Sequence, residues 1–249
     1  MALGKFGPVD VFFFIDGFNI VGQKIKGLRE KHTSPVEDVT GLGDSAPENV
    51  PVGVMNSEVV QEGAYFDTTA TTGGHVAFSG ATTLTPATSP RIMCLGFAGN
   101  TTGYPFTGFL GSFSSEYEVL AESGNLTKAN VTHSMTGLRS AGVIIQPLAS
   151  KTADWNTTST SVDNAASSAN GGEGFMQCTA ASGFTAFVGK IRHSADDSTY
   201  ADLIAFTDNV TDPFAERKTV SGTVNRYLAF AGDVTGSGSI TVFAGFSRS

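Results

Sequence analysis

Two neighbouring stretches, TGFLGSFSSEYEVLA (107–121) and LTKANVTHSM (126–135), alternate apolar and polar residues along the chain. Only an extended strand sends successive side chains to opposite faces, so both stretches are read as strands with one wet face. In the first, Phe109, Phe113, Tyr117 and Val119 share the dry face, and Ser112, Ser114, Glu116 and Glu118 share the wet one. In the second, Ala129, Val131 and Met135 face inward, with Lys128, Asn130, Thr132 and Ser134 opposite. ESGN (122–125) supplies turn residues between them, which predicts one long amphipathic hairpin.

The remaining chain points the same way. Thr and Phe suit pleated surfaces and the 30 glycines suit turns, so the expected fold class is mainly β with at most a short helix near 67–80. A chain of 249 residues is long enough for two cores. The small, polar stretch SKTADWNTTSTSVDNAASSANGGEG (150–174) reads as a linker and domain start, dividing the chain into 1–154 and 155–249. Six short strand patterns follow it: FMQCTAA, FTAFVGKIRHS, YADLIAFT, ERKTVSG, VNRYLAFAG and SITVFAGFSR. Their spacing predicts an immunoglobulin-like or jelly-roll-type β-sandwich.

Near the start, VFFFIDGFNIVG (11–22) places Asp16-Gly17 between apolar runs, a strong hairpin signal. The hairpin is expected over about 8–31, with its return strand running from Phe18 into the basic residues Lys24 to Lys31. Its first strand is apolar on both faces, so Phe12, Phe14 and Phe18 are core or interface residues. Phe12 or Phe14 is expected to meet a covering helix or a neighbouring subunit. The next segment, HTSPVEDVTGLGDSAPENVPVG (32–53), carries three prolines, three glycines and no lysine or arginine. Loops of this length are uncommon in a compact domain unless functional or disordered, so Asp44, Glu48 and Asn49 are read as part of either an arm ordered on a neighbouring subunit or a structureless surface loop.

Chemistry is hard to find. The four histidines are scattered without ligand spacing, and GLGDS (41–45) lacks the lysine of a phosphate loop. Cys94 and Cys178 read as isolated buried thiols. A hydrolase would need carboxylates flanking a cleft, whereas Glu116 and Glu118, about 7 Å apart along a strand, form more simply a solvated stripe. No catalytic residue, cofactor or metal is expected. The formal charge of −8 disfavours nucleic-acid capture, and no run approaches the length of a membrane helix. With 19 Phe against one Trp and five Tyr, the aromatic content favours dry cores and interfaces over sugar platforms.

Several segments carry a resemblance: VDVFFFIDGFNI, GLGDSAPENVPVGVMNSEVVQEGAYFD, GFLGSFSSEYEV with LTKANVTHSM, and VGKIRHSADDSTYADLIAFT, TVNRYLAFAG and SITVFAGFSRS. Together they resemble the major tail tube proteins of long-tailed, non-contractile (siphovirus-type) bacteriophages, over most of the chain. The resemblance implies a tail-tube-type β-sandwich or barrel over 1–154 and an appended decoration domain over 155–249. It further implies hexameric rings that stack with themselves and with other tail proteins, in a virion assembled in the bacterial cytoplasm. DNA would pass through the lumen without specific binding, and no membrane is implied as a partner. The lumen face would carry Glu116, Glu118, Lys128, Asn130 and Thr132. Within the same class, a capsid decoration or tail terminator protein with an adhesin-like domain is the alternative.

Overall fold

The computed structural model describes residues 10–23, 25–42, 45–51, 53, 56–69, 73–79, 90–135 and 139–249. Strand β1 (Phe12–Ile15) turns at Asp16 (φ 47°) and Gly17 (φ 88°) into β2 (Phe18–Asn19). Two successive positive φ angles are what Asp-Gly tolerates best, and they match the twist of the flanking strands. The return strand is much shorter than expected. After Asn19 a 3-10 turn (Val21–Gln23) redirects the chain, with the Asn19 side chain accepting from the Gly22 amide. The basic segment becomes β3 (Gly27–Thr33), a separate strand whose alternating exposure suits a sheet edge.

The segment 32–53 is not a structureless loop. It holds a small hairpin, β4 (Val36–Asp38) with β5 (Asn49–Pro51), in which every residue is exposed. β6 (Asn56–Tyr65) then returns antiparallel to β3. A short helix, α1 (Gly74–Ser79), follows, then β7 (Arg91–Gly96), β8 (Pro105–Leu120) and β9 (Lys128–Met135). The hairpin of β8 and β9 forms as the alternation predicts, but the face assignments along β8 need correction, and Val119, expected on the dry face, is exposed. Ser112 and Ser114 are buried, not wet. Bulges at Gly111 and Ser115 each insert one residue, and each insertion switches the side chains to the other face.

β10 (Ser140–Lys151) leads into β11 (Trp155–Asn156), β12 (Val162–Asp163) and β13 (Gly172–Ser194). β14 (Ala201–Ala205), β15 (Phe214–Val220) and β16 (Tyr227–Arg248) complete the chain. Here four expected strands merge into two. FMQCTAA and FTAFVGKIRHS are both parts of β13, and VNRYLAFAG and SITVFAGFSR are both parts of β16. Gly183 (φ 80°) and Gly236 (φ 95°) sit where the register shifts, so these glycines form bulges within long strands instead of ending them.

Among the described residues, one antiparallel sheet runs in the order β14-β13-β16-β10-β8-β7-β1-β2, and β9, β6 and β3 branch from β8. It passes from one half of the chain to the other through the β10 and β16 ladder. Among the described residues three apolar clusters fill its faces. The first is built mainly from β13 and β16, around Met176, Phe187, Phe230 and Val242. The second puts Phe13, Ile15, Phe109 and Val131 against Ala77 and Phe78 of α1. The third is shared: Phe12, Phe14, Cys94 and Phe106 pack on Phe175 and Phe243. The cover on Phe12 and Phe14 is therefore neither a helix nor another subunit. Both rings lie 5.2 Å from the Phe243 ring of β16, while α1 covers the opposite face of β1. Cys94 and Cys178 are free and buried, and burial pushes both thiols up to about 12.

Candidate functional site

Strands β3, β6, β9 and β8 lie side by side in that order as a four-stranded ribbon. Its inner face carries Val59, Ala64, Ala129 and Val131 into the core. Its outer face gathers four of the residues expected to share a wet face. Glu116 stands opposite Thr132, and Glu118 opposite Asn130. Thr132 Oγ1 donates to Glu116 at 3.4 Å, and Asn130 Nδ2 donates to Glu118 at 2.9 Å, while Asn130 Oδ1 accepts from the Gly63 amide. Lys128 stands apart at the end of β9, opposite Leu120 and Tyr65.

Sequence patterning missed the other half of this shelf. Arg29, Glu58, Val60 and Glu62 complete a shallow depression of about 380 Å³. Lys31 pairs with Glu58 at 2.9 Å and Arg29 with Glu62 at 3.6 Å. The alternation of Glu58, Val60 and Glu62 with Val59 and Gln61 carried the signal, but nothing local says that β6 borders β9. Four carboxylates against two cations leave the shelf acidic. A surface of this kind repels phosphate.

The arm of β4 and β5 carries two of its three named residues within the description, Glu48 and Asn49; Asp44 lies outside the described residues. Asn49 pairs with Asp38 across the hairpin, and the Glu48 amide donates to Thr40 Oγ1. Hydrogen bonds from the Thr40 hydroxyl and amide hold the Asp38 carboxyl below its ordinary range. Val36, Val39, Leu42 and Val50 are all exposed on the arm.

Phe12 and Phe14 are buried and Phe18 half-buried, and the turn they flank is a polar joint between the two halves. Arg91 Nε donates to Asp16 Oδ2, and the Ile92 amide donates to Asp16 Oδ1 at 2.8 Å. Arg91 also donates to the carbonyl of Ala77 on α1. From β13, Gln177 accepts from the Gly17 amide at 2.6 Å and donates to the Ile92 carbonyl. Nearby, Ser114 Oγ and His133 Nδ1 lie 3.3 Å apart. Burial, then the charge of Arg91, depresses the imidazole to about 3, and neither side chain is reachable by a substrate. The pair is core, not a nucleophile and base. Among the described residues no cluster of three or more His, Cys, Asp or Glu is placed to hold a metal, and no helix is long and apolar enough to cross a membrane.

No protein-family model matches the sequence, and no curated protein matches it. Among solved structures, a chain of the virion of a native gene transfer agent particle is similar over 54% of this chain and 97% of its own, at 13% identity and a TM-score of 0.38. The SPP1 Dit protein, whose structure is titled a paradigm of the hub adsorption apparatus in phages infecting Gram-positive hosts, is similar over 94% of this chain and 98% of its own. Its identity is 9% and its TM-score 0.35.

Proposed function

We propose that the chain is a structural virion protein of a bacteriophage tail, six copies forming a ring and the rings stacking into the tube that conducts DNA. The observation that carries this is the ribbon β3-β6-β9-β8. Among the described residues β3 pairs on one side only, and the 113–120 part of β8 pairs only with β9. Exposed edges of this kind attract other strands, and closing a sheet into a barrel removes them. The ribbon has an even number of antiparallel strands, so β3 of one copy and β8 of the next run antiparallel around a ring. They can therefore continue the same ladder.

Six ribbons of four strands make 24; at a spacing of about 4.8 Å and a tilt of about 40° they close a backbone cylinder about 48 Å across. The apolar face of the ribbon points into the subunit, so the acidic shelf lines the bore. There, negative charge keeps a passing polyanion from adhering. In this arrangement residues 155–249 decorate the outside.

Negative-stain microscopy of the purified protein tests the assignment. Stacked rings of uniform bore support it. Single rings that never stack would indicate a terminator-like part, and monodisperse monomers at high concentration would refute assembly altogether.

A further inference from the structure

A groove of about 540 Å³ opens where the end of β7 and the start of β8 meet β10 and the end of β16. Phe97, Phe106 and Val143 line it, and Phe97 is 40% exposed. Its floor is low because Gly142 has no side chain: a Cβ there would lie 2.7 Å from the Phe106 ring and 2.3 Å from the Phe246 carbonyl. Arg139 and Arg248 stand on its walls, and Arg139 is already paired with Glu30 of its own chain at 3.3 Å. The guanidinium of Arg248 donates to the carbonyls of Val224, Asn225 and Arg226 and to the Ser168 hydroxyl, and its Nε is buried without a partner. Those partners are neutral, so they leave its charge uncompensated.

The arm has the opposite character. It presents Val36, Val39, Leu42 and Val50 to solvent, with Leu42 fully exposed, and it carries Glu37, Asp38 and Glu48 with no lysine or arginine from 32 to 53. Apolar side chains beside carboxylates are what an apolar groove beside one uncompensated arginine, Arg248, accommodates. We infer that the arm of one copy seats in this groove of a second copy, Leu42 and its apolar neighbours against Phe97 and Phe106 and the arm's carboxylates toward Arg248. The contact is head-to-tail, using different surfaces on the two copies, so it propagates from copy to copy instead of stopping at a pair. It rests on the self-association proposed above, and not on the stacking of rings into a tube.

Cross-linking between chains tests it. A Leu42→Cys chain with one affinity tag is mixed with a Phe97→Cys chain bearing another and gently oxidised; the native thiols, Cys94 and Cys178, are buried. Holding the two new thiols together raises their effective concentration, so the mixed disulfide should exceed a Leu126→Cys control by about tenfold. Yields no higher than the control would overturn the contact. So would a Leu42→Cys/Phe97→Cys chain that links only within itself. Tubes that form with no cross-link remove this contact and leave the tail assignment standing, whereas cross-linked oligomers that never form rings or tubes keep the contact and remove that assignment.

Discussion

Arg91 and Asp16 meet across the hairpin turn, Nε to Oδ2 at 2.6 Å, with the Arg91 side chain 6% exposed. A cation in that position is tolerable only with its partner, because truncating one member leaves a desolvated charge. Asp16→Ala also strips the acceptor from the Ile92 amide. It should destabilise the chain by about 3 kcal/mol, read as a lower urea midpoint at unchanged slope. A loss too small to measure would mean that water reaches Arg91.

The turn itself discriminates between two kinds of glycine. Gly17 and Gly124 both have positive φ, 88° and 79°. A Cβ on Gly124 meets nothing, whereas one on Gly17 would lie 2.4 Å from the Cys178 carbonyl oxygen and the Phe214 amide. Gly124→Ala should therefore cost about 1 kcal/mol of backbone strain, and Gly17→Ala considerably more. Equal melting temperatures for the two variants would contradict the docking of the turn on β13 and β15.

His133 gives the acid limb a specific signature. Its ordinary value of 6.5 falls to about 3 in the folded chain. As pH drops below 6.5 the unfolded chain binds a proton that the folded chain refuses, so stability falls progressively until about pH 3 and is fully present only above 6.5. His133→Phe should reduce the loss of stability between about pH 7 and about pH 5, where carboxylates contribute little, leaving the part due to His193, whose pKa burial also lowers. Urea titrations at the two pH values measure this. A slope equal to that of the parent chain would place a different group in charge.

Reversing the shelf tests the bore. Glu116→Lys with Glu118→Lys should leave the ribbon folded, since both side chains are solvent-facing, and should slow DNA release from assembled particles, with a stronger effect at low salt. Intact tubes with unchanged release at every salt concentration would move the shelf away from the DNA path.

The sequence revealed local periodicity and turn chemistry well. Ala129, Val131 and the outward Asn130 and Thr132 follow the alternation of β9, and Asp16-Gly17 turns as its residue types require. What it concealed were single-residue insertions and distant partners. Gly111 and Ser115 look like ordinary members of an alternating run, yet each bulge moves the residues beyond it to the other face. Gly183 and Gly236 read as strand ends because a glycine that makes a bulge and one that makes a turn are spelled alike. The same limit hid half of the acidic shelf. Glu116 and Glu118 were visible as a stripe, but Glu58, Glu62 and Arg29 join them only through strand order, which no window of the sequence contains.

The shared cluster of Phe12, Phe14 and Phe243 also sets a clock. A ribosome adding about 5–20 residues per second leaves the first two rings without their cover for roughly 10 to 50 s. During that interval the nascent chain holds out a strand whose apolar surface is unmatched, before Phe243 has been made. Folding that awaits a contact so remote in sequence is slow and prone to mispairing. In a crowded polysome, where many such chains wait together, a chaperone that shields the first hairpin would have the most to protect.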